Sequence, residues 1–292
     1  MTDVAVSVLL ATCAEVPDGD DDERLGAAAM RALGVEVGFG VWDDPSVDWS
    51  APDLVVVRST WDYARRHDAF LAWADSVPRL ANPAEVIAWN TDKRYLADLA
   101  SAGVPVVPTS WYEPGDTPPT PDGAVVVKPT ISAGARDTRR HDDPGAATAH
   151  VDELLATGRS VMVQPYMAQV DALGETGIVF VAGAFSHAFR KSALLGAGTD
   201  ATSALFAAED ITPQRATARQ RAAAEQVLDA VGGTAARGNL LYARVDLVPG
   251  DDGTPLLLEL ELTEPSLFLG AEPGAADRWA RTVRTAAAEA RG

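Results

Sequence analysis

The chain has 292 residues, of which 47% are hydrophobic and 23% charged, and its formal net charge is −18. That length is enough for one large domain or two to three small ones with cores of their own. The negative charge argues against a nucleic acid or an anionic membrane as partner, because phosphate binding depends on a basic surface. No apolar run approaches the roughly 18 to 20 residues that cross a bilayer. A single cysteine permits no internal disulfide, and the histidines lack the spacing of zinc ligands, so we do not expect a zinc site. We therefore expect a cytoplasmic protein.

The first third of the chain alternates predicted strands with a predicted helix. The strands are "DVAVSVLLAT", "VEVGFGVW" and "DLVVVRS". The segment "DDERLGAAAMRALG" has acidic residues in its first turn and Gly34 at its end, which is typical of a helix. Strands that alternate with helices predict a parallel sheet in a Rossmann-like arrangement.

The loop "RSTWDY" follows the strand "DLVVV" directly. Parallel sheets of this kind present ligand-binding loops at the carboxyl ends of their strands. We therefore take Arg58, Ser59 and Asp62 as candidate substrate contacts. The alternative interpretation is a capped helix start with a packed Trp61.

The middle of the chain opens with a predicted helix, "TDKRYLADLASAG", that begins at Thr91 or Asp92 and ends at Gly103. The elements that follow it are the strand "VPVVPTSWY", the strand "GAVVVKP", the helix "PGAATAHVDELLATG" and the strand "SVMVQPYM". Of 24 basic residues only three are lysines, Lys93, Lys128 and Lys191. Because arginine dominates everywhere else, each lysine is a candidate for a specific role.

Lys128 ends an apolar strand and is followed by a loop of small residues that includes Ser132 and Gly134. Small residues let backbone N–H groups approach phosphate oxygens, while the lysine ammonium supplies a point charge. The alternative is a solvent-facing lysine beside a flexible turn. The loop has neither a Walker pattern nor a dinucleotide glycine pattern.

The last third contains two predicted hairpins and two predicted helices. "GIVFVAGAFSHAFRKSAL" reads as a hairpin that turns at Ala182 and Gly183. "TPQRATARQRAAAEQVLDAVGG" predicts a long helix with Thr212 as N-cap and Pro213 at the first helical position. "LYARVDLV" and "PLLLELEL" are predicted to form the second hairpin across the turn "PGDDG". The amphipathic helix "ADRWARTVRTAAAEA" follows near the C-terminus, and its apolar face is expected either to pack in the core or to form a homodimer contact.

The second hairpin carries an unusual set of charges. Strand alternation places Glu259 and Glu261 on one face, with Leu258, Leu260 and Leu262 on the other. The hairpin pairing brings Asp246 beside the two glutamates, and Arg244 lies on the same face. Convergent carboxylates suit Mg²⁺, which takes oxygen ligands and is commonly held by one or two carboxylates plus substrate phosphates. The alternative is a solvated hairpin face.

Taken in order, these pieces resemble the ATP-grasp fold. The resemblance rests on "NTDKRYLADLASAGVPVVPT", "VVVKP" with its small-residue loop, "VMVQPYM", and "ARVDLV" followed by "LLLELELTEPS", and it covers residues from about 85 to 270. It implies an α/β (α+β ATP-grasp) fold class, with a Rossmann-like N-terminal domain followed by two ATP-grasp subdomains that clamp ATP. The expected divisions are residues 1–84 for the N-terminal domain, 85–165 for the central or lid subdomain, and 166–292 for the metal- and substrate-binding subdomain.

The resemblance also implies roles for individual residues. Catalysis would involve Arg244 at the developing oxyanion and Lys128 at the phosphates. The residues expected to bind ATP are Lys93, Lys128, Ser132, Gln164, Tyr166, Met167, Glu175 and Lys191, with Asp171 as an alternative to Glu175. The metal ligands would be Asp246, Glu259 and Glu261, for Mg²⁺ or Mn²⁺, and Arg190 joins the candidate substrate contacts. One departure is Glu261, where many carboxylate–amine ligases of the family have asparagine.

The resemblance implies attack of a small carboxylate, such as an amino acid, on the γ-phosphate of ATP, then capture of the acylphosphate by an amine. The small size of the chain and "RSTWDY" resemble bacterial members of the O-ureido-serine cyclo-ligase group, in which the amine is intramolecular and which serves antibiotic biosynthesis. The alternatives are an ATP-grasp small-molecule kinase and a non-catalytic ATP-binding module. The expected partners are therefore small molecules.

Overall fold

The computed structural model of the protein describes residues 5–193, 210–232 and 236–292. Within these ranges the strands form three sheets. Three predicted elements extend beyond these ranges. The start of the first strand at Asp3, the end of the first hairpin at Leu194 and the end of the long helix at Gly233 lie outside the described residues. None of the helices in the described ranges is long and apolar enough to span a membrane.

The N-terminal sheet is parallel, as predicted. Its order is β2-β1-β3-β4, and the strands are β1 (Ser7–Thr12), β2 (Glu36–Val41), β3 (Leu54–Val57) and β4 (Leu80–Ala81). The helices between them are α1 (Asp21–Ala32) and α2 (His67–Ser76). α1 begins in a capping box, in which the Asp20 side chain accepts from the Glu23 N–H and Glu23 accepts from the Asp20 N–H.

A second sheet, also of four strands, is antiparallel and lies in the middle of the chain. Its order is β5-β8-β6-β7, with β5 (Ser110–Tyr112), β6 (Val125–Pro129), β7 (Arg139–His141) and β8 (Val161–Pro165). Helix α5 (Pro144–Ala156) packs on it through a small apolar core of its own. α5 has Pro144 in its first turn and Asp143 as N-cap, so its start follows ordinary capping rules.

The third sheet is antiparallel and contains both predicted hairpins. Its order is β11-β10-β9-β12-β13, with β9 (Glu175–Val181), β10 (Ala184–Lys191), β11 (Ile211–Pro213), β12 (Tyr242–Pro249) and β13 (Pro255–Glu261). The helices associated with it are α3 (Ala84–Asn90), α4 (Tyr95–Ser101), the short α6 (Val170–Leu173) and α7 (Ala218–Ala230). α3, α4 and α7 bury their apolar side chains in one core with β9, β12 and β13. The predicted divisions at residues 84/85 and 165/166 stay predictions.

The C-terminal helix, α8 (Ala275–Arg291), uses its apolar face inside the chain. Trp279, Ala280, Val283 and Ala287 are buried in a core that also contains side chains of β1, β3 and β12. Burial of a large apolar side chain contributes about 1.5–3 kcal/mol. Of the two sequence interpretations of this helix, core packing is therefore the one that the structure supports.

One predicted helix start is wrong. Thr212 and Pro213 lie in β11, where they pair with Arg190 and Phe189 of β10. α7 begins at Ala218, with Thr217 as N-cap in a complete capping box with Gln220. Both threonines precede helix-forming residues, and the pairing of β11 with β10 decides between them.

Candidate active site

A cavity of about 220 Å³ lies where the three sheets meet. Its wall includes residues from the loop after β3, from β6 and β8, and from β9, β12 and β13. The predicted site residues that line it are Lys93, Lys128, Ser132, Gln164, Tyr166, Met167, Glu175, Lys191, Arg244, Glu259 and Glu261. The fold thus brings together residues that are up to 168 positions apart (261 − 93) in the sequence.

The hairpin of β12 and β13 supplies the charged floor of this cavity. Arg244 pairs with Glu261 and Asp246 pairs with Glu259, so the predicted cross-strand arrangement is present. Residues directly opposite each other in an antiparallel pair have neighbouring side chains. The side chain of Arg244 therefore lies beside that of Glu261, and the side chain of Asp246 lies beside that of Glu259.

A β-bulge interrupts the alternation of β13. The register shifts between Asp246 and Leu247, which pair with Glu259 and Leu257, so Leu258 is the extra residue. Leu257 is buried in the main core, whereas Leu258 lines the cavity and packs near Met167. Alternation predicted that Leu258 points to the other face of the strand from Glu259. That prediction is wrong, because the bulge adds one residue and shifts the alternation of side chains.

Each carboxylate of the hairpin has a cationic partner. Lys93 Nζ lies 3.1 Å from Glu259 Oε1, and Lys191 Nζ lies 3.3 Å from Asp246 Oδ2. Arg244 donates from Nη2 to Asp246 Oδ2 at 2.9 Å and also to Glu261. Buried charges are tolerated only when they are paired and hydrogen-bonded, and this network satisfies that condition.

These partners separate the pKa values of the carboxyl groups. Burial alone would raise the pKa of Glu259, but Lys93, Lys128 and Lys191 outweigh it and lower the value to about 2. The pKa of Asp246 is likewise lowered by Arg244 and Lys191 against the effect of burial. Glu261 goes the other way: burial, together with the negative charges of Asp246 and Glu259, raises its pKa to about 8 although Arg244 opposes this.

Lys128 is buried at the end of β6 and faces the same cavity. Burial lowers its pKa, and the charge of Glu259 partly opposes that shift. Among the residues that the structure describes, its ammonium makes no hydrogen bond. It is thus a desolvated cation that a bound anion would stabilise.

The loop after Lys128 has an unusual backbone. Gly134, Ala135 and Asp137 all have positive φ, of 64°, 58° and 55°. A non-glycine residue in that region costs about 1–2 kcal/mol. Lys93 Nζ donates to the carbonyl of Ser132 at 2.7 Å, which ties the loop to the charged floor.

The opposite end of the cavity is less charged. Gln164 donates to the Thr109 hydroxyl at 3.0 Å, and Met167 packs against the apolar cluster that contains Val248. Tyr166 donates to Asp171 and stacks under the Arg140 guanidinium, 3.7 Å from the ring centroid. Asp171 itself does not line the cavity, whereas Glu175, with Lys191 Nζ 3.5 Å away, does.

The candidate substrate contacts of the N-terminal sheet do not line the cavity. Arg58 is buried over the rings of Tyr242 and Trp279, and Ser59 donates to Glu23 at 3.0 Å. Asp62 accepts from the Trp42 indole at 2.8 Å and pairs with Arg66. Their assignment to a substrate stays a prediction.

Arg190 also lies away from the cavity. Its guanidinium donates from Nε to the Leu173 carbonyl at 2.7 Å and from Nη1 to Ser192, so it holds the end of α6. Its assignment to a substrate likewise stays a prediction.

Several cavity residues were not predicted from the sequence. They include Trp61, Tyr63, Asn90, Glu264 and Ser266. Glu264 is the third carboxylate in "ELELTEP", so its presence in an acidic run was the available signal. It lies beyond the end of β13, where alternation no longer predicts the direction of a side chain.

The hairpin carboxylates fit a hard divalent cation in chemistry, since all are oxygen donors. In the described residues, however, no three His, Cys, Asp or Glu side chains converge as a ready metal cage. Mg²⁺ is usually held by one or two carboxylates together with phosphate oxygens, rather than by an all-protein cage. The residues therefore fit a metal that arrives with a phosphate ligand.

The N-terminal part of the chain matches a known domain family. Residues 8–82 match the family described as the N-terminal domain of the D-cycloserine synthetase DcsG. The chain is also 39% identical to the cycloserine biosynthesis protein DcsG of Streptomyces lavendulae over 271 residues, which are 87% of this chain and 90% of that protein.

Solved structures extend the similarity to the whole fold. The crystal structure of D-cycloserine synthetase DcsG superposes with a TM-score of 0.86 at 36% identity, covering 96% of this chain and 99% of that one. The ATP-grasp ligase PsnB, solved with a minimal precursor, Mg and ADP, superposes with a TM-score of 0.62 at 18% identity, covering 96% and 97%. At that identity the second likeness concerns the fold alone.

Proposed function

This chain belongs to the DcsG family of ATP-grasp ligases, and from that premise we propose which reaction its cavity performs. Membership makes it an ATP-dependent ligase that forms carbon–nitrogen bonds. We propose that the carboxylate it activates belongs to a small amino acid, and that the attacking amine belongs to the same molecule, so that the product is a ring. The names of its relatives, a D-cycloserine synthetase and a cycloserine biosynthesis protein, support a cyclic amino-acid product of this type.

The observation that carries the proposal is the charge arrangement of the cavity. Arg244, Glu259 and Glu261 line the cavity together with Lys93 and Lys128. Asp246 is buried next to that lining, where it pairs with Arg244 and Lys191. A triphosphate needs cations at its oxygens, and a developing acyl oxyanion needs a fixed donor. One enclosed site supplies both.

We assign the two ends of the cavity to different parts of ATP. Lys93, Lys128 and the loop at Ser132 would hold the phosphates, because their cations and small residues lie together there. The less charged end would hold the base and the ribose. Its residues are Gln164, Tyr166, Met167 and Glu175, with Lys191 between that end and the hairpin.

Asp246, Glu259 and Glu261 would hold Mg²⁺ together with phosphate oxygens. When bound, the ion would neutralise charge on the transferred phosphoryl group. Lys93, Lys191 and Arg244 contact these carboxylates, and we expect the three cations to turn toward the phosphates when ATP and the metal bind.

The reaction then needs two displacements. A carboxylate oxygen of the substrate attacks the γ-phosphorus, the bond to the bridging oxygen breaks, and ADP leaves. The amine nitrogen next attacks the acyl carbon, the C–O bond to phosphate breaks, phosphate leaves with its electron pair, and the nitrogen loses a proton. The side chains position the reactants and stabilise charge; Arg244 faces the oxyanion of the second step, and no covalent enzyme nucleophile is required.

The test is Mg²⁺-dependent ADP release across a panel of D- and L-amino acids, their O-substituted serine derivatives included, with hydroxylamine present to trap acylphosphates as hydroxamates. We expect one group of amino acids to give both ADP and hydroxamate. Glu259→Gln should lower both by about 100-fold or more, because it removes a charge that the metal and phosphates need. Glu289→Gln, at an exposed position of α8, is the matched control and should leave both unchanged.

Two outcomes would contradict this reaction. ADP with a phosphorylated product but no hydroxamate would favour a kinase. Tight ATP binding without turnover on any member of the panel would favour a binding module.

A further inference from the structure

The cavity contains one carboxylate that the reaction described above does not use. Glu264 lies three residues after Glu261 and lines the cavity together with Trp61, Tyr63 and Ser266. Its side chain is only partly exposed, and the cavity is the space that it faces. A carboxylate so placed is accessible to a small ligand but largely removed from bulk water.

Glu264 differs from its neighbours in its partners. Glu175, Glu259 and Glu261 each form an ion pair with a lysine or an arginine. In residues 5–193, 210–232 and 236–292, Glu264 forms no ion pair. Lys93 is the cation whose charge acts on Glu264, but its ammonium forms its ion pair with Glu259.

Two aromatic residues fix the position of Glu264. The Trp61 indole donates to its main-chain carbonyl at 3.2 Å. The Tyr63 hydroxyl lies close enough to the Glu264 carboxylate that, after burial, the charge of Glu264 contributes to raising the pKa of the tyrosine. Both aromatic residues come from the loop after β3 of the N-terminal sheet, whereas Glu264 follows β13. The arrangement exists only because the two sheets meet, and it holds the carboxylate in place before any ligand binds.

We propose that Glu264, held by Trp61 and next to Tyr63, binds the α-ammonium group of the amino-acid substrate and not the amine that attacks. A buried carboxylate without a protein cation is costly, and a ligand ammonium removes that cost by forming a charge-assisted hydrogen bond. The aromatic walls suit the same ligand, since cations are attracted to the faces of Trp and Tyr rings.

The position of Glu264 gives this contact a use in the reaction. Glu264 follows Glu261 on the same segment, so an ammonium bound there would leave the carboxylate of the same amino acid free to face Arg244 and the phosphates. Holding the substrate at two points orients its carboxylate for attack. The inference rests on the proposed function for the identity of the reaction, but it concerns binding.

The experiment compares matched ligands by isothermal titration calorimetry in the presence of Mg²⁺ and ADP. The first pair of probes is D-serine and 3-hydroxypropanoate, which lacks only the α-amino group. The second pair is D-cycloserine and its N-acetyl derivative, and each probe is titrated separately. We expect the native protein to bind the ammonium-bearing member of at least one pair about 10- to 100-fold more tightly, the range for a hydrogen bond to a charged group. Glu264→Gln should reduce that preference to about threefold or less.

Two further variants separate the role of the charge from general damage. Tyr63→Phe keeps the charge of Glu264 but removes the neighbouring hydroxyl, so we expect a preference between those of the native protein and Glu264→Gln. Glu289→Gln should keep the native preference. Thermal unfolding checks that each variant is folded. If Glu264→Gln does not fold, the ligand preferences of the native protein and of Tyr63→Phe still test the inference.

The outcomes are distinct. Equal binding of both members of every pair by the native protein would overturn the inference, as would a Glu264→Gln variant that weakens both members equally. Failure to bind any ammonium-bearing probe would overturn it too, even if ADP release proceeds with other carboxylates. A clear ammonium preference without turnover would contradict the proposed reaction and support the inference.

Discussion

At the scale of single residues, Arg244 connects several groups at the cavity. Its Nε and Nη2 donate to Asp246, Nη2 also donates to Glu261, and Nη1 donates to the Ser266 carbonyl at 2.8 Å. A planar guanidinium can make these bonds at once, whereas an ammonium on a flexible stem cannot. The residue therefore fixes the hairpin carboxylates as well as the loop that carries Glu264.

Arg244→Lys tests this dual role. We expect kcat to fall by about 10²- to 10³-fold, as when a fixed oxyanion donor is removed, with a much smaller change in the KM for ATP. Steady-state kinetics of ADP release measure both values. A kcat within tenfold of the native value would show that a point charge is sufficient there.

The buried Glu23 gives a prediction about pH. Burial raises its pKa to about 7, although Arg58 opposes the shift, while an unfolded glutamate titrates near 4.5. The folded protein therefore binds more protons at this site between those values, and its stability falls as the pH rises through that window.

Glu23→Gln removes the titration. The free energy of unfolding of the native protein, minus that of the variant, should decrease by about 3 kcal/mol between pH 4.5 and pH 8. Urea denaturation at several pH values measures it. Because other groups, such as Asp22, titrate in both proteins, a difference that stays constant with pH would contradict the raised pKa.

At the scale of elements, hydrogen bonds between segments decide several boundaries. β11 ends at Pro213, and four residues separate it from α7. The Thr217 hydroxyl accepts from the Gln220 N–H at 3.2 Å, and Gln220 Oε1 accepts from the Thr217 N–H at 2.9 Å. These bonds satisfy donors that the first turn of a helix otherwise leaves without partners.

A pair of substitutions tests that boundary. Thr217→Ala should lower the free energy of unfolding by about 1 kcal/mol because it removes the cap. Thr212→Ala, at the exposed position that the sequence favoured, should cost less than about 0.5 kcal/mol. Urea denaturation of both variants compares them directly, and equal losses would contradict the observed helix start.

At the scale of the whole molecule, the N-terminal sheet and the five-stranded sheet share a core. Tyr242 lies in it, and its hydroxyl donates to the Thr263 carbonyl at 2.7 Å, with the Val57 carbonyl 3.1 Å away as a second acceptor. Asn82 adds bonds to the carbonyls of Tyr242 and Leu262 at 2.9 and 2.8 Å. We expect these two sheets to unfold in one cooperative transition.

Tyr242→Phe should lower the free energy of unfolding by about 1–3 kcal/mol, since it leaves buried carbonyls without a donor. Tyr112→Phe is the matched control, because its hydroxyl makes no hydrogen bond in the described part of the chain. Chemical denaturation followed by circular dichroism and by tryptophan fluorescence measures both variants. Separate transitions by the two probes would contradict the shared core.

The sequence by itself was sufficient for features that depend on neighbours along the chain. The parallel N-terminal sheet, both hairpins and the pairing of Asp246 with Glu259 follow from periodicity and turn residues, which act over a few positions. The ATP-grasp fold was expected because these segments, in their order, resemble that family. Alternation also predicted that Glu259 and Glu261 share a face.

Only the tertiary structure decided what depends on contacts between distant segments. The bulge that turns Leu258 into the cavity and the pairing that puts Thr212 in β11 come from partner strands that local patterns do not specify. Trp61, Tyr63 and Glu264 meet although about 200 residues separate them, because two sheets bury apolar surface against each other. Side-chain periodicity describes one strand at a time, whereas a site is made by the packing of several.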